Sequence, residues 1–206
     1  MMPNIEDRLD EQTIDRDPIK QFQKWFAEAV SAKLPLPEAM SLATVNSDGK
    51  PTSRMVLLKQ ADDDGFVFFT NYRSAKAGEL EANPNVALVF FWSQFDRQVR
   101  IEGTVTKTSA EESQAYFATR PRESQVGAWA SPQSAVINGR AELEAKQHEL
   151  EKLYEGGPVP WPEHWGGYRV KPNRIEFWKG RIGRLHDRIV YERDGDDAWS
   201  IKRLAP

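Results

Sequence analysis

The chain contains no cysteine, and this absence excludes several chemistries at once. Disulfides, thiolate nucleophiles, iron–sulfur clusters and cysteine zinc sites all require that residue. Histidine is scarce as well: His148, His164 and His186 lie far apart and lack the spacing of metal ligands, so we expect no metal site. The simplest location for a protein without cysteine is the cytoplasm.

Long apolar segments and an excess of positive charge are also missing. The longest apolar run, residues 86 to 92, is far too short to cross a bilayer, and the N-terminus lacks the apolar core of a signal peptide. A net charge of -3 and a pI near 5.7 argue against nucleic-acid binding. Neither of the two common glycine-rich nucleotide loops is present. We therefore expect no membrane and no nucleic-acid partner.

What remains is a globular composition, with 39% hydrophobic and 29% charged residues. The length favours one domain, which we place at residues 17 to 206 after a polar, mobile arm at residues 1 to 16. Strand periodicity dominates from residue 40 to 107 and again from 168 to 204, with helical segments before, between and within these regions. The pattern predicts a mainly β protein with peripheral helices (α+β), built on an antiparallel sheet or barrel.

Residues 54 to 59 place four apolar residues between two cations, Arg54 and Lys59. Such a run predicts a buried strand, on which the two cations point to opposite faces roughly 17 Å apart. That geometry favours two separate anions, or one anion on each side of a subunit contact. The alternative is a pair of ordinary strand-end cations that reach water.

Two further groups of residues have the chemistry of anion binding. Tyr116, Arg120 and Ser124 share one face of a helix that Pro121 bends, and the bend leaves Ser124 near a helix N-terminus that favours phosphate. If residues 184 to 188 are extended, Arg184, His186 and Arg188 share one face and can meet a polar aromatic ligand. The alternatives are an ordinary surface for the first group and an edge strand protected by charge for the second.

Several short motifs in fixed order resemble the pyridoxine (pyridoxamine) 5'-phosphate oxidase family, over about residues 18 to 206. The motifs are Arg54-Met55-Val56-Leu57-Leu58-Lys59, Phe69-Thr70-Asn71, Gln98-Val99, Arg120-Pro121-Arg122-Glu123-Ser124-Gln125, Gln133-Ser134, Trp165-Gly166-Gly167, Arg184-Leu185-His186-Asp187-Arg188 and Arg203-Leu204-Ala205-Pro206. The resemblance implies an FMN-binding split β-barrel that forms a homodimer with two FMN molecules at the subunit interface.

The resemblance also assigns the site residues by position. The implied FMN-binding residues are Arg54, Met55, Val56, Leu57, Leu58, Lys59, Phe69, Thr70, Lys76, Gln98, Gln133, Ser134, Trp178 and Arg188. The implied substrate-binding residues are Lys59, Tyr116, Arg120 and Ser124 for the phosphate, and Arg184, Leu185 and His186 for the ring, with Arg184 and His186 as catalytic residues.

The implied reaction is oxidation at C4' of pyridoxamine or pyridoxine 5'-phosphate by FMN and O2. The products would be pyridoxal 5'-phosphate and H2O2, with ammonia from the amine, and the protein would mainly orient the substrate and supply electrostatics. Two rivals remain: a flavin-binding protein without catalysis, and a related flavin or deazaflavin oxidoreductase with another substrate, such as a phenazine precursor.

The chain departs from the family pattern in two places. Ser74-Ala75-Lys76 stands where the family commonly has Ser-Arg-Lys, so one contact to the FMN phosphate is in doubt, and Arg73 is our candidate substitute. Residues 1 to 16 also lack the Arg-x-Glu-Tyr element that covers the substrate in some members.

Overall fold

The computed structural model describes residues 8–195 and 198–206. Within them the chain forms five α-helices: α1 (Pro18–Ser31), α2 (Ala75–Ala82), α3 (Ala110–Thr119), α4 (Arg122–Ala130) and α5 (Arg140–Leu153). The same residues form nine strands: β1 (Ala39–Val45), β2 (Pro51–Leu57), β3 (Gln60–Asp62), β4 (Gly65–Asn71), β5 (Asn85–Trp92), β6 (Arg97–Lys107), β7 (Trp165–Lys179), β8 (Asp187–Asp194) and β9 (Ala198–Arg203). No helix in the described ranges is long and apolar enough to cross a membrane.

The strands form one antiparallel sheet in the order β2-β1-β5-β6-β7-β4-β3, and β8 and β9 extend it from β7. The long strand β7 pairs with β6 along its length, while β4 and β8 share its other edge. A bulge opposite Glu102 and Gly103 shifts the register midway, which bends the sheet at this point. The predicted mainly β fold with peripheral helices is confirmed.

The core lies on the concave face of this sheet. Alternate strand residues point inward, as in β1, where Met40 and Leu42 are fully buried. Helix α1 closes the core with Phe22 and Trp25. It begins after Asp17, whose carboxylate accepts hydrogen bonds from the Ile19 and Lys20 backbone amides. A second, smaller cluster joins α3, α4 and α5 to the start of β7.

The prediction of a buried strand at residues 54 to 59 was wrong about its burial and about where it ends. Strand β2 ends at Leu57 and lies at the edge of the sheet, with β1 as its only ladder partner among the described residues. Its outward side chains are therefore uncovered: Met55 is 64% exposed and Leu57 is 38% exposed. Lys59 follows the strand, in the connection to β3, so it is not on the opposite face of the same strand as Arg54.

The condition set for the second group, an extended segment from residue 184 to 188, is not met. Residues Ile182–Arg184 form a 3-10 turn, in which Gly183 and Arg184 have φ angles of 71° and 62°. Strand β8 begins only at Asp187. Arg184, His186 and Arg188 therefore do not lie on one face of a single strand.

The predicted arm, residues 1 to 16, lies partly outside the described residues, which begin at residue 8. From there the chain lies against the sheet, because Leu9 and Ile14 belong to the core. The Tyr191 hydroxyl donates to the Asp15 carbonyl at 2.6 Å. Residues 8 to 16 are therefore docked in this structure, and mobility stays a prediction.

Candidate active site

A cavity of about 450 Å³ lies between the end of β2, strand β4 and the junction of α3 with α4. All four residues predicted for the substrate phosphate line it: Lys59, Tyr116, Arg120 and Ser124. Eight of the fourteen residues predicted for FMN line it as well: Lys59 again, and Met55, Val56, Leu57, Phe69, Thr70, Lys76 and Gln133. The fold thus brings together residues that are far apart in the sequence.

The bend predicted at Pro121 creates one wall of this cavity. Helix α3 ends at Thr119, Arg120 has an extended backbone, and α4 starts at Arg122. Ser124 consequently lies in the first turn of α4, near backbone amides that have no intrahelical partner. A hydroxyl and a guanidinium converge beside a helix N-terminus, which is a favourable arrangement for phosphate.

Arg120 is held against an aromatic wall and has no acidic partner among the described residues. Its guanidinium lies 4.3 Å from the ring centre of Trp165, and its Nη1 atom is buried without a hydrogen-bond acceptor. Burial lowers the pKa of Arg120. A buried donor without a partner is costly, so this side chain is prepared for an anion that enters the cavity.

The aromatic wall is formed by three rings. Phe69 stacks on Tyr116 at 4.0 Å and on Trp165 at 5.3 Å. Gly167, two residues after Trp165, allows this packing, because a Cβ there would lie 2.9 Å from Phe69 Cε1. We did not assign a role to Trp165 from the sequence, although it belongs to one of the family motifs. Its signal was a tryptophan followed by two glycines, which alone does not identify a binding residue.

The second cationic part of the cavity surrounds Lys76. Its Nζ lies 3.3 Å from Thr70 Oγ1 and 3.4 Å from Gln133 Oε1, and burial together with the charge of Arg54 lowers the pKa of Lys76. Arg54 is the neighbouring cation, and its Nη2 donates a hydrogen bond to Glu79 at 2.7 Å. Two neighbouring cations that share a single carboxylate fit an additional anionic group such as the phosphate of FMN.

The start of α2 adds donors to this corner. Ser74 occupies the N-cap position, but its hydroxyl donates to the Asn71 carbonyl and does not cap the helix. A larger cavity of about 880 Å³ opens beside it and is lined by Arg73, Ala75, Gln133 and Ser134. Arg73 is therefore close to the place where Ala75 departs from the family pattern, and its contact to FMN stays a prediction.

Leu58 differs from the other predicted FMN residues. Its side chain is 5% exposed and belongs to the core, so it does not line the cavity. Gln98, Trp178 and Arg188 face each other across β6, β7 and β8, at the end of β7 that is distant from Trp165. An extended strand of that length spans roughly 40 Å. These three residues, together with Arg184, Leu185 and His186, form a second group away from the cavity.

The second group has a different electrostatic character. Arg188 forms two hydrogen bonds to Glu176, at 2.8 and 3.1 Å, and donates to the Ala205 carbonyl. The His186 ring packs against Trp178 with centres 4.8 Å apart. Arg184 and Leu185 lie on the exposed turn, and Leu185 is 74% exposed. Within one chain the two groups do not form a single site.

An uncovered face of the sheet extends between the two groups. Met55 and Leu57 border the cavity, and Phe91, which is 60% exposed, pairs in register with Gln98 of the second group. Exposed apolar side chains on a continuous sheet face are typical of a surface that another chain covers.

Fold and site together define a split β-barrel with a cationic, aromatic-walled cavity. The profile described as "Pyridoxamine 5'-phosphate oxidase" matches residues 26–154, and the profile described as "Pyridoxine 5'-phosphate oxidase C-terminal dimerisation region" matches residues 165–206. The chain belongs to the pyridoxamine 5'-phosphate oxidase family. This family binds FMN, so the predicted cofactor is confirmed at the level of the family.

Two curated relatives carry the name pyridoxine/pyridoxamine 5'-phosphate oxidase. One from Burkholderia lata is 56% identical over 200 residues, with 96% of this chain and 93% of that protein covered. One from Rubrobacter xylanophilus is 58% identical over 198 residues, with 96% and 91% covered.

Among solved structures, PhzG from Burkholderia lata in complex with tetrahydrophenazine-1-carboxylic acid is similar with a TM-score of 0.91. It is 32% identical, with 97% of this chain and 98% of that chain covered. An FMN binding protein from Nostoc punctiforme, at 19% identity and a TM-score of 0.73, shares the fold.

Proposed function

We propose that the chain is an FMN-dependent oxidase that converts pyridoxamine 5'-phosphate or pyridoxine 5'-phosphate into pyridoxal 5'-phosphate. The electron acceptor is O2, the co-product is H2O2, and the amine substrate also releases ammonia. The observation that carries this proposal is the buried, unpartnered guanidinium of Arg120 in one cavity with Lys59, Tyr116 and Ser124. The two cations balance the charge of a phosphate monoester, and all four groups can donate hydrogen bonds to its oxygens.

In this proposal the chain's residues bind and orient the substrate. The phosphate site fixes the substrate so that C4' is held in one place, and the stacked rings of Phe69, Tyr116 and Trp165 exclude water from one side. Lys76, Thr70 and Gln133 hold the cofactor, and Met55, Val56 and Leu57 form the adjacent wall. When bound, FMN supplies the hydride-accepting redox chemistry.

The second group completes the site from a second copy of the chain. A homodimer that covers the exposed face with Met55, Leu57 and Phe91 can place Arg184 and His186 of the partner subunit opposite the cavity. The description of residues 165–206 as a dimerisation region supports this arrangement, because these residues carry the second group. Arg184 then covers the substrate ring, and His186 donates to one of its polar substituents.

A phenazine-type substrate is the second candidate, because of the similarity to PhzG. Two observations favour the phosphorylated substrate. The chain is 56% identical to the curated oxidase from Burkholderia lata and 32% identical to PhzG from the same species. The carboxylate of a phenazine-type substrate has only two oxygens that can accept hydrogen bonds, whereas four donor groups converge in the cavity.

The deciding experiment is a spectrum of the purified flavoprotein during anaerobic addition of pyridoxamine 5'-phosphate. We expect the oxidised flavin band to bleach, and to return with formation of H2O2 on admission of air. Pyridoxamine without phosphate is the matched control and should bleach the band far more slowly. A flavin that stays oxidised with the phosphorylated amine and alcohol, but is reduced by a dihydrophenazine carboxylic acid, would move the assignment to the second candidate.

A further inference from the structure

The turn that carries Arg184 is closed at its base by an ion pair. Arg181 Nε donates to Asp187 Oδ2 at 2.7 Å, and both side chains are about 15% exposed. Between them the backbone adopts left-handed conformations at Gly183 and Arg184. A residue with a Cβ is strained in that conformation, so surrounding contacts have to hold it.

Asp187 extends this contact to the N-terminal segment. Its second oxygen, Oδ1, accepts from Arg203 at 2.9 Å. Arg203 in turn binds both oxygens of Glu11, at 2.6 and 2.8 Å, and donates to the Leu9 carbonyl at 2.6 Å. Glu11, Arg203, Asp187 and Arg181 thus form a chain of alternating charges, which we call the tether. It joins the N-terminal segment to the turn.

The pKa values of the tether carboxylates agree with this description. Hydrogen bonding to Arg203 lowers the pKa of Glu11 to about 2. The pKa of Asp187 is also lowered: its burial acts against the charged form, but the hydrogen bonds from Arg181 and Arg203 outweigh that effect. Both carboxylates are therefore charged at neutral pH.

The same turn determines how His186 is protonated. Its Nδ1 accepts a hydrogen bond from the Arg181 backbone N–H at 3.0 Å. An accepting Nδ1 carries no proton, so the neutral ring carries it on Nε2. His186 consequently presents an Nε2–H donor, and the contact with Trp178 fixes the ring plane.

We propose that Asp187 and Arg203 of the tether are positioning residues for His186. Glu11, on the N-terminal segment, holds Arg203 in place. The tether holds the turn in the shape in which Arg181 selects the Nε2–H form of His186. The consequence for substrate binding rests on the proposed function above, whereas the effect on the His186 ring does not.

The test uses the full-length, FMN-loaded protein with isotope-labelled histidine, whose three rings give few NMR signals. A His186→Gln sample assigns the signal of His186. We expect a single Nε2–H form in the wild type, and both neutral forms in Asp187→Asn and Glu11→Gln. The Michaelis constant for pyridoxamine 5'-phosphate should rise about tenfold in Asp187→Asn and about threefold in Glu11→Gln, equivalent to about 1.4 and 0.6 kcal/mol.

Lys202→Gln is the matched control. It removes a comparable ion pair, Lys202 with Glu192 at 2.6 Å, from the same hairpin and next to Arg203. It should leave the His186 signal and the Michaelis constant unchanged. Glu11→Gln keeps the test decisive if Asp187→Asn fails to fold, because Glu11 lies at the surface.

The proposal is overturned if His186 keeps one neutral form in Glu11→Gln, or if Lys202→Gln changes that form as much as Glu11→Gln does. The NMR result is independent of the substrate. A wild-type protein that fails to oxidise pyridoxamine 5'-phosphate would therefore refute the proposed function without deciding the role of the tether.

Discussion

The cavity and the turn at residues 182 to 184 are both surrounded by cations, but the cations that line the cavity have no carboxylate partner in the described part of the chain, whereas most of those around the turn do. Within the described residues, Lys59, Lys76 and Arg120 form no ion pair. By contrast, Arg181, Arg188 and Arg203 each bind a carboxylate at 2.9 Å or less. Arg184 differs from its neighbours on the turn, because it forms no ion pair in the part of the chain that the structure describes.

This difference separates cations that stabilise the fold from cations that are available to bind a ligand. A carboxylate partner recovers the cost of removing a guanidinium from water, so the paired arginines stabilise the unliganded protein. A partly buried cation without such a partner recovers that cost only when an anion binds. The cavity cations are therefore the residues we expect to act on a ligand. Arg184 is exposed, so burial does not select it, but it has no ion pair within the described residues through which it could hold the fold.

The strongest test of this comparison is Arg120→Met, which keeps the packing on Trp165 and removes the charge. We expect kcat/KM for pyridoxamine 5'-phosphate to fall about a hundredfold to a thousandfold, because charged hydrogen bonds to the phosphate are lost. The free energy of unfolding without substrate should not decrease. Arg140→Ala, an exposed change on α5, is the control for kcat/KM. A fall in stability with normal kinetics would place Arg120 among the structural cations.

Arg184→Ala tests the unpaired cation of the turn. We expect kcat to fall about tenfold to a hundredfold while FMN remains bound, since Arg184 is proposed to cover the substrate ring and not the cofactor. Steady-state kinetics and the flavin absorption of the purified variant measure the two effects. Loss of flavin would mean that Arg184 is misassigned.

Mixing these two variants tests whether the cavity and the turn of different chains form one site. In a dimer that contains one Arg120→Met and one Arg184→Ala subunit, one site has both changes and the other has none. Random reassembly should therefore restore about one quarter of wild-type activity. If activity stays at the level of the separate variants, the two groups do not meet across an interface.

A smaller effect on stability is expected for Arg188→Met. The change leaves Glu176, which is 2% exposed, without its closest partner, although Arg100 and Arg174 remain at 3.6 Å. The free energy of unfolding should fall by about 2 kcal/mol, measured by denaturant titration of the protein without substrate. An unchanged free energy of unfolding would mean that Arg188 does not stabilise the fold, which contradicts the distinction between structural and ligand-binding cations.

The smallest effect concerns the pH dependence of the tether. The pKa of Glu11 is lowered from 4.5 to about 2 in the folded chain, so its contribution is complete above pH 4.5 and disappears as the pH falls towards 2. The stability difference between wild type and Glu11→Gln should be at most about 1 kcal/mol at pH 6, because Glu11 is partly exposed, and should shrink by pH 3. A difference that grows on acidification would contradict this assignment.

Part of the site was predictable because it is local. Tyr116, Arg120 and Ser124 lie within nine residues, and helix geometry with one proline is sufficient to place them on one wall. That Arg120 packs on Trp165 without a carboxylate partner among the described residues could not be predicted, because Trp165 approaches it from a distant strand. The burial of β2 was predicted wrongly, because the apolar run from Met55 to Leu58 resembles an internal strand.

The sequence by itself determined the family, the mainly β fold and which residues we propose for a phosphate site, because motifs and periodicity are properties of neighbouring residues. Only the tertiary structure decided which cations are paired, which side of β2 is open, and that the Arg181 backbone N–H donates to His186 Nδ1. Those features depend on contacts between strands and segments far apart in the chain, and a carboxylate such as Glu11 becomes the partner of Arg203 only when folding joins the two ends.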